Sequence, residues 1–213
     1  MTDIITIDGP SCSGKGTIAK SLAKRINYFH LESGLLYRVI AKYFMDKSNE
    51  ANTIDERMLH EIELNKLIEF NQQGLVSRKD LYTSTVSNFT STISQLKSVR
   101  DLVLIFQRSL QEQYNLIAEG RDMGSIVFPK ANLKIYIDAP ISVRAERRYN
   151  QLKDIEKDVN LAQVFNDLAE RDKCDSSRQI APLQIPLGAI LIDTSLMNVN
   201  QAIEFILSEQ TKR

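Results

Sequence analysis

A chain of 213 residues is long enough for one domain with a full apolar core and small attached lobes. Its 27 basic and 27 acidic side chains cancel, so no global field recruits nucleic acid or a membrane surface, and any anion site must be built locally. Two cysteines, Cys12 and Cys174, stand far apart without a partner pattern, which fits a reducing compartment and argues against a disulfide framework or a zinc site.

The N-terminus, MTDIITIDGP, has no basic segment ahead of a long apolar run, so no signal peptide is expected. No apolar stretch approaches the roughly 20 residues of a membrane span. The expected location is the cytoplasm, with a monomer as the default state.

In chain order, Ile4–Ile7 reads as a buried strand, and Lys15–Ile26 as a helix with Ile18, Ala19, Leu22, Ala23 and Ile26 on one stripe. HLESGLLYR follows, where Ser33-Gly34 can start a helix that carries Arg38 on its first turns. Residues 66–82, KLIEFNQQGLVSRKDLY, read as a hairpin-like insert of short β segments around a turn. Val99, Leu102, Val103, Phe106 and Leu110 share a helical face, ahead of a strand at Asn115–Ala118. A strand at Lys134–Asp138 leads to the arginine-rich helix of Arg144–Arg148. Residues 150–180 are so charged that they read as a mobile surface segment. A strand at Ala189–Asp193 and a helix bearing Val199, Ala202, Ile203 and Ile206 end the chain. Near-continuous apolar strands alternating with amphipathic helices predict an α/β fold with a parallel sheet covered on both faces.

The strongest chemical signal is GPSCSGKGT. Gly9-x-x-x-x-Gly14-Lys15 has the spacing of a phosphate-binding loop between strand and helix. Glycines let several backbone N–H groups point inward, the next helix adds its positive end, and Lys15 supplies a mobile charge for the outer phosphates. Position 16 is Gly, so the hydroxyl that can meet Mg²⁺ comes one residue later, at Thr17. A guanine-reading Asn-Lys-x-Asp is absent: Asn65-Lys66 runs into Leu67-Ile68. That leaves a small-molecule kinase, with a non-catalytic nucleotide sensor as the rival from another class. Zero net charge and no aromatic-basic face count against a nucleic-acid-dependent ATPase.

Such a kinase needs a second anion site. Arg38 can supply a rigid fork of donors. Gly120-Arg121-Asp122 falls at the carboxyl end of a core strand, where open α/β sheets bind ligands. Arg144 and Arg148 share a helix face with Arg147 close by, and Arg171, Asp175 and Arg178 form one polar stripe if their segment is helical.

Taken together, ITIDGPSCSGKGT, HLESGLLYR, SVRDLV, GRDMGSIVFP, RAERR and ERDKCDSSRQIAPL resemble bacterial cytidylate kinases of the nucleoside monophosphate kinase group, over nearly the whole chain. The resemblance implies a three-layer P-loop kinase core at 1–32, 92–145 and 180–213, a nucleoside monophosphate-binding (NMP) lobe at 33–91 that includes the insert, and a small lid at 146–179. It implies phosphorylation of CMP and dCMP by ATP with Mg²⁺. Gly9, Pro10, Ser11, Cys12, Ser13, Gly14, Lys15, Gly16 and Thr17 would hold ATP. Lys15, Arg38, Arg121, Arg147 and Arg171 would act on the phosphates, with Asp8 behind them and Thr17 toward the metal. Ser33, Arg38, Ser91, Arg100, Arg121, Asp122, Arg171, Asp175 and Arg178 would hold CMP, with Ser33, Ser91, Arg100 and Asp122 reading cytosine. Neither nucleic acid nor membrane is an implied partner. Other P-loop kinases, for UMP, shikimate or gluconate, stay open. The chain departs from the family pattern at Glu32, where Asp is usual, at Tyr82, where Arg is common, and at Cys174 and Ser176, where lid arginines are expected. Cys12 within the loop suggests thiol sensitivity, against the plainer reading of a small tolerated residue.

Overall fold

The structure, a computed structural model, describes residues 2–47, 59 and 78–212. Five parallel strands form one sheet: β1 (Ile4–Asp8), β2 (Phe29–Glu32), β3 (Leu116–Gly120), β4 (Leu133–Asp138) and β5 (Ile190–Asp193), in the order β2-β3-β1-β4-β5. Every residue of β1 and β3 is buried, as strands covered on both faces require. Alternation divides their side chains between two cores. Ile4, Leu116 and Ala118 face one side with α2 (Ser33–Lys47), α4 (Ser84–Ile93) and α5 (Lys97–Ser109), while Ile5, Ile7, Ile117 and Ile135 face α1 (Lys15–Ile26) and α8 (Val199–Gln210). The three layers follow from that division.

The chain leaves β1 for the far edge at β2, returns to β3, and only then crosses to β4 and β5. The order therefore reverses beside β1, and the loops after β1 and β3 open at the same carboxyl edge, where such sheets take ligands. All four strands expected from the sequence are present. β2 is an addition: four residues, Phe29-His30-Leu31-Glu32, with Leu31 alone buried, carry too weak a pattern to announce a strand.

The end of the 66–82 insert departs from the β expectation. Arg78–Leu81 is a single helical turn, α3, and the Thr83 hydroxyl then caps α4 by accepting from the Val86 N–H at 3.3 Å. Residues 66–77 lie outside the described residues. The charged region 150–180 is mostly helix: α6 (Ile141–Lys153) runs into it and α7 (Leu161–Ser177) fills it. Ala145 and Leu152 of α6 pack on Val164 and Leu168 of α7, with Cys12 against them, so the pair has a small apolar core that the density of charge conceals.

Candidate active site

The loop from Gly9 to Gly14 turns on positions that demand unusual backbone. Gly9 has φ +151°, and a Cβ there would lie 1.9 Å from the Ile137 carbonyl oxygen, so the close approach to β4 admits only glycine. Cys12 takes a left-handed φ of 59°, and Gly14, at φ 91°, is the N-cap of α1. The loop is braced from behind. Thr194 Oγ1 donates to the Ser13 carbonyl at 2.6 Å, and Arg144 Nη1 donates to the Ser11 carbonyl at 3.3 Å. Arg144 also pairs with Asp172 of α7 at 2.7 Å. Lys15 Nζ folds back onto the Pro10 carbonyl at 3.0 Å. Desolvation first, and then the cation of Arg121, push its pKa down to about 8, against the opposing charge of Glu119.

In front of this loop lies a cavity of about 500 Å³, lined by the loop, the starts of α1 and α2, the carboxyl end of β3, and residues of α4, α6 and α7. Arginines enter it from every side. Arg38 is buried; its Nη1 donates to the Leu81 carbonyl at 2.8 Å and to Ser87 Oγ at 2.9 Å. Burial, and then the nearby Arg171, lower its pKa to about 10. Arg121 bridges the two halves, donating to Ser11 Oγ at 2.7 Å and to Asp175 Oδ2 at 2.9 Å. Burial opposes its charge, but Asp175 outweighs that and raises its pKa. Burial equally disfavours charge on Asp175, yet Arg121, Arg171 and Arg178 together hold its pKa below the usual carboxylate value. Arg171 and Arg178 are both lowered, by burial first. The Nε of each is buried without a hydrogen-bond partner among the described residues. Buried cations held close together with donors unspent make a site for a multivalent anion.

On the other wall Arg100 Nη1 donates to Asp122 Oδ2 at 2.8 Å, both side chains 9% exposed, and Arg100 Nε donates to the Ser94 carbonyl at 2.6 Å. Ser33 opens α2 beside them, accepting from Gln107 Nε2 at 2.9 Å. Asp122 belongs to the turn after β3, and Asp8 fixes that turn by accepting from the Met123 N–H at 2.8 Å and the Gly124 N–H at 2.7 Å. Burial raises the Asp8 pKa to about 7 despite those two bonds. Asp8 thus ties the phosphate loop's strand to the turn that carries Arg121 and Asp122.

The cavity brings together Ser11, Cys12, Gly14, Lys15, Gly16, Thr17, Ser33, Arg38, Arg100, Arg121, Asp122, Arg171, Asp175 and Arg178. Gly9, Pro10 and Ser13 shape the loop from beneath rather than line it. Ser91 does not reach the lining either. Thr90 and Ser94 line it instead, and the Ser91 carbonyl accepts from Ser94 Oγ at 2.9 Å. One residue along a helix turns a side chain by about 100°, enough to move it off the face. Arg147 lies outside the lining, donating to Thr194 Oγ1 at 3.0 Å and its carbonyl at 2.9 Å; a methyl group on Gly14 would sit 3.6 Å from its guanidinium. It guards the back of the loop. Residues 171, 175 and 178 do form one stripe, because α7 is helical through Ser177.

Several lining residues were not singled out from sequence, Tyr37 and Glu119 among them. Glu119 held the clearest signal, an acid directly before Gly120-Arg121-Asp122 on a strand that otherwise reads as core. A Cβ on Gly16 would lie 3.1 Å from its Oε2, so its carboxylate sits beside the start of α1. Oxygen donors from Thr17 and Glu119 suit a hard ion such as Mg²⁺. Among the described residues no group of three or more His, Cys, Asp and Glu is gathered to hold a metal alone, and no helix is long and apolar enough to cross a membrane.

A sequence model of the family described as cytidylate kinase matches residues 5–212. The chain is 37% identical over 217 residues to a cytidylate kinase of Thermodesulfovibrio yellowstonii, covering 98% of each chain. It is also 37% identical over 224 residues to a cytidylate kinase of Pseudomonas putida, covering 100% of this chain and 97% of the relative. Among solved structures, an uncharacterized protein from Eubacterium ventriosum superposes with a TM-score of 0.57 at 16% identity over 100% of both chains, a likeness of fold.

Proposed function

The chain belongs to the cytidylate kinase family, and from that premise we propose that it transfers the γ-phosphoryl group of ATP to CMP and dCMP, giving ADP with CDP or dCDP. One observation carries the reading: a single cavity joins the loop bearing Lys15 to Arg38, Arg121 and Arg171. ATP and a nucleoside monophosphate bring several negative charges into one space, and these cations meet that need.

The acceptor's phosphate oxygen attacks the γ-phosphorus as the bond to the β–γ bridging oxygen breaks. The nucleophile is already an anion, so no strong general base is required. Positioning and charge neutralisation supply most of the catalysis. Gly9–Thr17 cradle the ATP phosphates, with Lys15 reaching toward the transferring group. Arg38, Arg121 and Arg171 clamp the acceptor phosphate; Asp175 and Arg178 approach its ribose. Arg147, behind Gly14, serves the ATP side as the lid at 146–179 closes over the core and the NMP lobe at 33–91. Thr17 and Glu119 would hold Mg²⁺ beside the loop, where it would supply positive charge to the ATP phosphates.

Cytosine is read by Asp122, which accepts from the exocyclic amino group, and by Arg100, which donates to the ring acceptors, with Ser33 as the neighbouring hydroxyl. Uracil would turn a carbonyl oxygen to the Asp122 carboxylate. The enzyme acts on small molecules as a cytoplasmic monomer. The test is ADP formation with Mg-ATP and a panel of CMP, dCMP, UMP, AMP, GMP, shikimate and gluconate. Turnover with CMP and dCMP well above UMP is expected. Equal turnover with UMP would overturn the base reading, and ATP binding without turnover on any acceptor would overturn the kinase.

A further inference from the structure

Arg38 reaches the cavity without a carboxylate among its described ion-pair or hydrogen-bond partners. Its Nη1 is spent on two neutral acceptors, the Leu81 carbonyl and Ser87 Oγ. Its third support is a ring: the guanidinium carbon lies 4.4 Å from the centroid of Tyr82. The Tyr82 hydroxyl in turn donates to Glu32 Oε1, at the end of β2. The other end of the residue is fixed by Arg148, whose Nη2 donates to the Tyr82 carbonyl at 3.1 Å and to Ser87 Oγ at 3.2 Å.

We propose that Tyr82, anchored by Glu32, is a positioning residue that sets the Arg38 guanidinium for the acceptor phosphate. The inference rests on the reading of Arg38 as a phosphate clamp. A carboxylate bonded directly to Arg38 would neutralise it and occupy the N–H donors that a phosphate needs. A ring face holds the cation without consuming a donor, and the attraction grows as the site is desolvated. Glu32 acts at one remove. Its charge polarises the phenol, enriches the ring and fixes its plane, while the ring keeps the carboxylate off the guanidinium. The arrangement also answers a local excess of cations. Arg171 and Arg148 both act to lower the Arg38 pKa, and Tyr82 and Glu32 both oppose them.

The test compares Tyr82→Phe, Tyr82→Leu and Glu32→Gln in the full chain. Steady-state kinetics are run with CMP and with ATP varied, and the Arg38 side-chain resonances are observed by NMR in the absence of nucleotide. The expected result is a rise of about five- to tenfold in KM for CMP in Tyr82→Leu, with KM for ATP changed less than twofold. Tyr82→Phe, which keeps the ring, should recover most of that loss. Glu32→Gln should fall between Phe and wild type. The Arg38 resonances, shifted upfield over the ring in wild type and Tyr82→Phe, should lose that shift in Tyr82→Leu. Equal rises in both KM values, an unchanged KM for CMP in Tyr82→Leu, or a Phe variant as impaired as Leu would overturn the proposal. Should Tyr82→Leu not fold, Arg38 resonances that show no upfield ring shift in the wild-type protein would overturn it equally, because the guanidinium would then not lie over the Tyr82 ring. Absence of CMP turnover in the wild-type protein would instead overturn the kinase reading, and the ring-current shift of Arg38 would still decide whether Tyr82 holds it.

Discussion

Arg100 and Asp122 meet at 2.8 Å in the wall of the cavity, each side chain 9% exposed, so the two groups proposed to read the base are already paired before any base arrives. A buried pair of this kind is held in register by its own attraction, and losing one member leaves the other uncompensated.

Asp122→Ala should therefore do two separable things. It should lower stability by about 3 kcal/mol, because Arg100 stays buried without its partner. It should also reduce the preference for CMP over UMP by about tenfold, the worth of one directed contact to an exocyclic amine. KM for ATP should change far less. Asp122→Asn, which retains an acceptor of the same shape, should recover much of the stability but not the discrimination, since its amide also offers a donor to the uracil carbonyl. Paired kcat/KM values for CMP and UMP, with thermal denaturation, check this; an unchanged ratio in Asp122→Ala would sink the assignment.

The pKa of Lys15, at about 8 against an ordinary 10.5, gives ATP binding a pH dependence with a defined sign. Phosphates favour the ammonium form. Above pH 8 the free protein carries neutral Lys15, which must gain a proton on binding. Affinity for ATP should hold below pH 8 and fall by up to tenfold per unit above it, with net proton uptake. Stability of the ligand-free protein runs the other way. Between about 8 and 10.5 the unfolded chain binds more protons at Lys15 than the folded one, so this residue's contribution rises with pH. Calorimetric titrations in buffers of different ionisation enthalpy measure the uptake. The opposite signs separate Lys15 from general alkaline denaturation.

How far the sequence discloses this site depends on the length scale of each feature. The phosphate loop was legible because its spacing, strand and helix are all local, and Gly9 to Thr17 lie as expected between β1 and α1. The Arg171, Asp175 and Arg178 stripe was legible once helical spacing was assumed. Ser91 and Arg147 were placed by motif position, yet a helix turn decides which side chain faces the cavity, and it turns Thr90 and Ser94 inward and holds Arg147 on Thr194. β2 escaped notice because an edge strand of four residues with a single buried side chain has no pattern to show. The contact between Tyr82 and Glu32 joins residues 50 apart in sequence, a separation that no local signal spans.

Gly9→Ala should break the site through the backbone alone. The new Cβ would stand 1.9 Å from the Ile137 carbonyl oxygen, a main-chain atom of β4 that cannot swing aside as a flexible side chain would. Either the loop or the strand must move, at a cost of roughly 3 kcal/mol or more. Gly34→Ala provides the control, since nothing lies within 4 Å of its added carbon. Gly9→Ala should lose measurable ATP binding and much of its thermal stability. Gly34→Ala should fold as the wild type does. Retained ATP affinity in Gly9→Ala would show that the loop tolerates a displacement the packing against β4 argues against.

Glu156 accepts from both the backbone N–H of Ser84, at 2.5 Å, and its hydroxyl, at 2.9 Å. This places a carboxylate from the connection between α6 and α7 on the first residue of α4. The amino end of a helix has N–H groups without internal partners and a positive dipole end, and an anion there satisfies both. Two residues away, Arg148 of α6 reaches the Tyr82 carbonyl, so the same two regions are clasped twice. Glu156→Ala should cost about 1 kcal/mol, in the range of lost helix caps. The loss should appear as faster amide exchange at Ser84 and through the first turn of α4, with the sheet unaffected. Glu156→Gln keeps the acceptor but loses the charge, and should lie between. The charged part of the effect should shrink as salt is raised from 0.05 to about 0.5 M, because screening weakens the dipole contribution and leaves the hydrogen bond. Exchange at Ser84 that ignores residue 156 in all three proteins would show that α4 is capped without it, by Thr83 alone.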